Sequence, residues 1–332
     1  MAVLSTTLMT LVEWGKRLAP DGGILDIAEL LAQTNEVLTD MPFQEGNLPT
    51  GHRVGVRTGL PTATWRLLNQ GVAASRSTTA QIDEQCGMLE ARGQIDVDLA
   101  TLNGNLAAFR LSEATPHMEA MNQEMAQTLF YGNSGLSPEE FTGLSPRYSA
   151  LTGAGNISHV INGGGTGAAT KSSVWLLGWG AQGLFGIYPK GSQAGLLHKD
   201  LGEGDAFDAS NNRFRAYMDL WQWKCGIALK DWRYAVRICN IDIPNLVAQS
   251  SATDLIEAMI KAIHRLPFIN MVRPVFYMNR TVFEFLDIQR RGDVIAGGGL
   301  RYENVDGVAT STFRGIPVRK VDALIETEAV VV

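Results

Sequence analysis

Two stretches of the chain fall one or a few residues short of catalytic motifs. From Gly165, the run NGGGTGAATKSSVWLLGWG (Asn162–Gly180) reads G-x-x-x-x-T-K-S, one residue away from the phosphate loop G-x-x-x-x-G-K-[ST]. A phosphate loop works because a glycine turn aims backbone N–H groups at the anion and a helix N-terminus follows it. Here Thr170 replaces the second glycine, and Val174–Trp179 alternates with a period of two, which predicts a strand. Ile157–Ile161, the glycines and Val174–Trp179 therefore read as a hairpin with a flexible tip, and nucleotide binding is not supported. The second stretch, HKDLGEGD (His198–Asp205), echoes the kinase catalytic loop H-R-D-x-x-x-x-N, with Asp205 where the metal-binding asparagine belongs. No glycine loop with a strand lysine precedes it and no D-F-G follows. Asp200, Glu203, Asp205 and Asp208 offer oxygens to a hard cation but lack the spacing of a calcium loop. A solvated loop is the expectation.

The remaining reactive types are scattered. The five histidines lie far apart with no pair at i, i+4 and no cysteine neighbour, so a zinc site is unsupported. No G-x-S-x-G occurs. Arg291-Gly292-Asp293 is the adhesion tripeptide, a match too short to carry weight. The tryptophans could stack on sugars, but their place on alternating segments favours the core or burial under a neighbour. Cys86, Cys225 and Cys239 are odd in number and widely separated, as expected of free thiols in a reducing compartment. No catalytic, cofactor-binding or metal-ligating set emerges, so a cofactor-free, non-enzymatic protein is expected.

The composition points outward. Apolar residues make up 45% of the 332, enough for a large core, whereas charged residues make up only 19%, below the roughly 25% of ordinary soluble domains. A surface poor in charge suits burial against partners. The net charge of −6 argues against a dedicated nucleic-acid reader. Arginine outnumbers lysine 20 to 8; its planar fork suits interface carboxylates, although a genomic bias would give the same count. The first residues lack a basic region and cleavage site, so no signal peptide is expected. The uncharged Ser172–Pro189 is broken by glycines and alternates, so no membrane span is expected.

The elements read as α+β without regular β-α alternation or repeats. Ser5–Leu18 and Ile24–Leu38 predict short amphipathic helices. Strand-like pieces at His52–Arg57 and Thr62–Leu68 lie in a Gly/Thr-rich, poorly hydrophobic excursion. Between Glu45 and Asp83 that excursion has no acidic residue but holds Arg53, Arg57, Arg66 and Arg76. Ala80–Ala100 returns to strand-like alternation. Thr115-Pro116 predicts a helix start, a hydroxyl cap with proline at the first helical position, and Gly132-Asn133 the stop. That helix, Pro116–Tyr131, would be roughly 24 Å long, with Met118, Met121, Met125 and Leu129 on a core face. Phe214–Leu229 and Asp231–Ile243 read as strands. In the second, Trp232, Tyr234, Val236 and Ile238 share one face, opposite Arg233 and Arg237. Thr253–Leu266 predicts an amphipathic helix ended by Pro267. A strand at RPVFYMN, a helix at about Thr281–Arg290 and two closing strands follow.

The order and wording of MPFQEGNLPTGHRVGVRTGLPTATWRLLNQGV (from Met41), GIYPKGSQAG (Gly186–Gly195), DWRYAVRICNID (Asp231–Asp242) and VFYMNRTV (Val275–Val282) resemble the major capsid proteins of tailed bacteriophages, in particular short-tailed ones. These have the Hong Kong 97-type fold. The resemblance implies an N-terminal arm at residues 1–40, an extended β loop at 41–83 and a peripheral domain with a spine helix at 84–135. It further implies an axial domain at 136–249 and closing elements at 250–332. It implies self-association into hexamers and pentamers of an icosahedral shell around double-stranded DNA, assembled in the host bacterial cytoplasm. A portal, a separate scaffolding protein and a decoration or cement protein are the partners such a shell implies, with non-specific contact to DNA and none to a membrane. Some relatives join neighbours by an isopeptide bond from a loop lysine. Here no lysine lies between Lys16 and Lys171, so the expectation is a non-covalent shell in which Arg53, Arg57, Arg66 and Arg76 meet carboxylates such as Glu119 and Glu124 of the next subunit. The alternatives left open are a nucleotide- or metal-dependent enzyme using the glycine or acidic loop, and a carbohydrate-binding surface protein using the tryptophans.

Overall fold

A computed structural model describes residues 31–102, 106–167, 169–208, 210–249, 253–292, 300–305 and 308–332. The expected helix Ser5–Leu18, most of Ile24–Leu38 and Asp293 of the adhesion tripeptide lie outside them. In chain order the elements are α1 (Val37–Asp40), β1 (Phe43–Glu45), β2 (Gly51–Gly59), β3 (Thr78–Gln85), β4 (Gly87–Asp96), α2 (Val97–Thr101), α3 (Leu106–Tyr131) and β5 (Val160–Asn162). Then come β6 (Lys171–Trp179), β7 (Leu184–Tyr188), β8 (Leu196–Phe207), β9 (Arg213–Leu229), β10 (Ala235–Asp242), α4 (Ile243–Ala248), α5 (Leu255–Arg265) and β11 (Arg273–Met278). α6 (Arg280–Gly292), β12 (Leu300–Val305), β13 (Val308–Phe313) and β14 (Ile316–Lys320) close the chain. The chain divides into two compact units. The described part of the first is Leu31–Thr34, Met88–Ala126 and Gly195–Lys224; the second is Asn35–Gly87, Gln127–Ala194 and Cys225–Val332.

The second unit is built on β6. All nine of its residues, KSSVWLLGW, are buried, because β10 and β11 both pair with it antiparallel and both its faces are covered. A strand buried on both faces reads as a continuous apolar run. β5 joins the outer edge of β10 and β14 that of β11, both parallel. Helix α5 packs here with Leu255, Ala258, Met259, Ala262 and Ile263 inward. Its N-cap Asp254 accepts the Glu257 N–H at 2.8 Å, and Arg265 Nη1 donates to the carbonyls of Ser158 and Val160. Full burial of the Leu255, Met259 and Ile263 side chains stabilises by about 1.5–3 kcal/mol each.

The polar residues inside this core are paired. Arg237 Nη2 meets Glu328 Oε2 at 2.9 Å, both about 4% exposed. The guanidinium also donates to Ser173 Oγ and the Tyr148 carbonyl and lies 5.4 Å from the Trp175 ring centroid. Tyr131 Oη and Ser173 Oγ donate to the Glu328 carboxylate, and burial beside that carboxylate pushes the Tyr131 phenol far up. Lys171 Nζ meets Asp242 Oδ2 at 2.5 Å while itself only 1% exposed. The lysine salt bridge and the backbone N–H of Asn245 hold the Asp242 carboxyl below its usual range.

Several sequence expectations are corrected here. β5 and β6 do not form a hairpin, because β10 lies between them. The glycines serve close approach instead of a flexible tip: Gly163 N–H donates to Cys239 O at 2.8 Å and Gly165 N–H to Asn240 O at 2.9 Å. A Cβ on Gly165 would sit 2.5 Å from that Asn240 carbonyl, and Gly164 and Gly167 have φ +87° and +93°, which glycine adopts freely. Strand β10 begins at Ala235, after a 3-10 turn at Trp232–Tyr234, and Arg237 faces a buried carboxylate. Thr62–Leu68 forms no strand, and Asn35 makes an isolated bridge to Val321 where helix was expected.

In the first unit, α3 starts at Leu106, ten residues before the expected first helical position, Pro116, which lies inside it. Thr115 does not cap: its hydroxyl donates back to the Leu111 carbonyl at 3.2 Å, as mid-helix threonines do. The extra turns are anchored by Phe109, packed with Ile95 and Ala100. Met121 and Met125 are buried as expected, but Met118 is 39% exposed. The expected acidic loop is a strand, β8, paired antiparallel with β9 from Leu196↔Trp223 to Phe207↔Arg213. Its residues are largely exposed, so it lacks the alternation that would have revealed it. Two histidines distant in sequence share one ring: His117 and His198 stack on Trp221 with ring centroids 4.7 and 5.2 Å away. Asp219, buried, accepts from His198 Nε2 at 2.9 Å and Arg110 Nη2 at 2.8 Å.

A pH dependence follows. Burial lowers the pKa of His117, His52 and His159 below the ordinary histidine value. The unfolded chain then binds more protons than the folded one as pH falls through about 6.5. Stability should therefore decline from pH 7.5 to 5.5. Thermal melting across that range checks this, with His117→Gln reducing the slope; a flat or rising melting temperature contradicts it.

Candidate assembly surface

The sequence of the extended loop folds as a two-stranded antiparallel ribbon, β2 paired with β3 from Gly51↔Gln85 to Gly59↔Thr78, with a bulge between Arg57 and Gly59. Its base is fixed by interactions of unequal depth. Arg147 grips Glu84 with two bonds of 2.5 and 2.7 Å, and Glu84 is buried; bidentate Arg–carboxylate pairs are geometrically specific. Gly51 passes so close to Glu84 that a Cβ would lie 1.9 Å from its carbonyl oxygen. One step along, Arg53 forks onto the exposed Asp83 at 2.6 and 2.7 Å, and Asn47 bonds the Arg53 backbone at both N–H and C=O.

Beyond the bulge the ribbon is open to solvent. Residues 60–77 are exposed throughout and form no strand. Leu60, Trp65, Leu67 and Leu68 are 79%, 105%, 69% and 91% exposed. These are large apolar side chains with nothing among the described residues to bury them, and contiguous exposure of that kind marks an interaction surface. The excursion is therefore not poorly hydrophobic at its tip: Trp65 and Leu67 sit at the strand spacing expected of Thr62–Leu68, but no strand forms there to bury them. Arg57, Arg66 and Arg76 are exposed and meet no carboxylate among the described residues.

The two expected acceptors differ. Glu119 is engaged within its own chain, accepting the Gln33 N–H at 2.9 Å and Gln123 Nε2 at 2.8 Å. Glu124 is exposed on α3. Arg53 likewise already has Asp83. Of the six singled-out residues, Arg57, Arg66, Arg76 and Glu124 are left available for another molecule.

The stretches that resembled catalytic motifs are otherwise occupied. Lys171 of the glycine run is buried against Asp242, and the glycine N–H groups that a phosphate would need bond to β10 and, for Gly164, to Asn162 Oδ1. In the acidic stretch Asp200 pairs with Arg110, Glu203 with Arg215, and Asp205 lies near Arg213 and Arg215. Among the described residues no group of three or more His, Cys, Asp or Glu is placed to hold a metal. Trp175, Trp179 and Trp221 are buried, not displayed for a sugar. No described helix is long and apolar enough to cross a membrane.

Comparison with known proteins places this ribbon-bearing fold. The family model described as Major capsid protein GP7 matches residues 19–332. The chain belongs to that family. It is also similar to a chain of the cryo-EM structure of bacteriophage epsilon15, at 30% identity and TM-score 0.73, covering 100% of this chain and 99% of the other. A chain of the bacteriophage JBD30 capsid is similar at 8% identity and TM-score 0.49, covering 90% and 96%. No curated protein matches. The protein is thus a phage major capsid protein of the Hong Kong 97-type fold, a structural subunit that associates with its own kind in the icosahedral shell of the virion.

Proposed function

We propose that this capsid protein builds hexamers and pentamers of a shell around double-stranded DNA, held without covalent links and without catalysis. One observation carries the reading. The ribbon has no carboxylate from residue 46 to 82, whereas residues 111–146, which run from α3 into the following turn, have five carboxylates and no lysine or arginine. Charge is segregated into two blocks of one chain, and copies placed side by side can pair one block with the other. Arg57, Arg66 and Arg76 of one subunit meet Glu124 and its neighbours on the next. An ion pair that stays exposed contributes only about 0–1 kcal/mol, so burial of Trp65, Leu67 and Leu68 supplies more of the affinity, at about 1.5–3 kcal/mol per side chain. The arginines set register and exclude wrong pairings.

Within this reading the ribbon is the extended loop and α3 the spine helix, with the peripheral and axial domains and the N-terminal arm divided as the family resemblance implies. Assembly takes place in the host bacterial cytoplasm with a separate scaffolding protein and a portal, and a decoration or cement protein is a further partner of the finished shell. DNA contact is non-specific, through arginines on a net acidic chain.

Denaturing, reducing gels of disassembled virions test the non-covalent shell. The expected result is a single band at the subunit mass, since the ribbon holds no lysine and Lys171 is buried in its ion pair. A ladder of covalent multimers contradicts it.

A further inference from the structure

We infer that the cleft beneath the ribbon is a seat for a second copy of this chain, and that the occupant is the copy's acidic turn Asn133–Phe141. The inference rests on the loop-mediated assembly proposed above and adds a second contact to it. The cleft lies wholly within the second unit, between residues 55–60 of the ribbon, the turn 230–234 and the loop 268–271, with a volume of about 810 Å³. Its cations are Arg57, Lys230 and Arg233, and its one carboxylate, Asp231, is taken by Arg233 at 2.7 Å. Lys230 Nζ donates to the Ala181 carbonyl at 3.2 Å and meets no carboxylate among the described residues. Its apolar rim is unusually bare: Phe268 is 65% and Met271 61% exposed. A basic cleft with an apolar rim calls for an acidic knob that also carries an apolar side chain.

The chain itself has such a knob. In the turn after α3, Leu136 is 83% exposed and Glu139 is exposed, with no cation against it among the described residues. The turn is braced, so it needs little ordering on contact: Leu136 N–H and Ser137 N–H both donate to Asn133 O at 2.9 Å, Gly135 N–H to Asn133 Oδ1 at 3.0 Å, and Ser134 and Thr142 hydroxyls meet at 2.6 Å. The order along the two blocks also agrees. Arg66 lies nine residues beyond Arg57, at most ~30 Å of extended chain. Glu124 lies seven residues of helix before Tyr131, about 10 Å, with the turn just after. A ribbon laid along the acidic block with its tip near Glu124 brings its base, and the cleft, toward Glu139. The apolar rim disfavours nucleic acid, whose phosphates need only the cations.

Paired cysteines test the seat. Leu136→Cys and Phe268→Cys are both exposed positions, and the native thiols make a quiet background: burial pushes Cys86 and Cys239 up to about 11 and Cys225 to about 12. Particles of the double variant, oxidised and run on a non-reducing gel, should give a ladder of disulfide-linked multimers absent from either single variant and from unassembled protein. Intact double-variant shells that run only as monomer overturn the seat and leave the assembly reading standing; failure of the unaltered chain to form shells overturns that reading instead. Should the double variant not assemble, a charge exchange decides. Lys230→Glu and Glu139→Lys should each lower shell yield tenfold or more and together restore it, and no restoration overturns the seat.

Discussion

Reversing Arg57 and Arg66 to glutamate should abolish closed shells while leaving a soluble, folded subunit. Both side chains are exposed and meet no carboxylate among the described residues, so the described fold does not depend on them. In the shell each reversal would replace attraction to an acidic block by like-charge repulsion, repeated at every copy. Small pairwise terms multiply over a closed surface, and a contact that contributes about 1 kcal/mol per pair becomes decisive when it is made hundreds of times. The measurement is sedimentation and electron microscopy of the expressed variant beside the unaltered chain. Loss of particles with an unchanged melting temperature is the expected outcome; normal shells would remove the electrostatic role of the ribbon. Trp65→Ser should act in the same direction by a different route, through lost apolar burial.

The largest effect on stability should come from Glu328→Ala. Glu328 sits near the C-terminus, yet its carboxylate answers Arg237, Ser173 and Tyr131 in the middle of the second unit. Removing it leaves the Arg237 guanidinium charged, about 4% exposed and without its partner. Breaking a buried pair from one side costs about 3–5 kcal/mol, whereas replacing both partners by apolar groups of similar volume is often neutral. Denaturant unfolding should therefore show a loss of that size for Glu328→Ala and a smaller one for Arg237→Met combined with Glu328→Leu. A single-variant loss below 1 kcal/mol would contradict the description of this core.

How much of this was legible in the sequence depends on how each residue is buried. Helix α5 could be read almost to its ends, because its apolar stripe and Pro267 point the same way. The core strands β6 and β10 were found from the alternation of Val174–Trp179 and Trp232–Ile238, but their pairing was not: nothing local says that β10 lies between β5 and β6. The helix start was misplaced because Thr115-Pro116 satisfies the rule for a cap, while the anchoring of the preceding turns by Phe109 against Ile95 and Ala100 is tertiary. Strand β8 was missed because a strand with both faces in water carries no alternation.

The assembly surface divides in the same way. Its charge was visible at once, as four arginines without a carboxylate between Glu45 and Asp83. Which of them are available was not, since Arg53 and Asp83 become neighbours only when the ribbon pairs in register, and Glu119 is engaged by Gln33 from a distant segment. Leu136 and Phe268 look unremarkable in sequence; only the fold leaves them bare.

The most direct measurement is a cryo-EM map of the assembled particle at side-chain resolution. It should show the ribbon Gly51–Gln85 of each subunit lying across an adjacent copy, with Trp65 covered and Arg57, Arg66 and Arg76 within ion-pair distance of that copy's carboxylates. A shell in which the ribbon lies back on its own chain, or projects into solvent with Trp65 uncovered, would contradict the account.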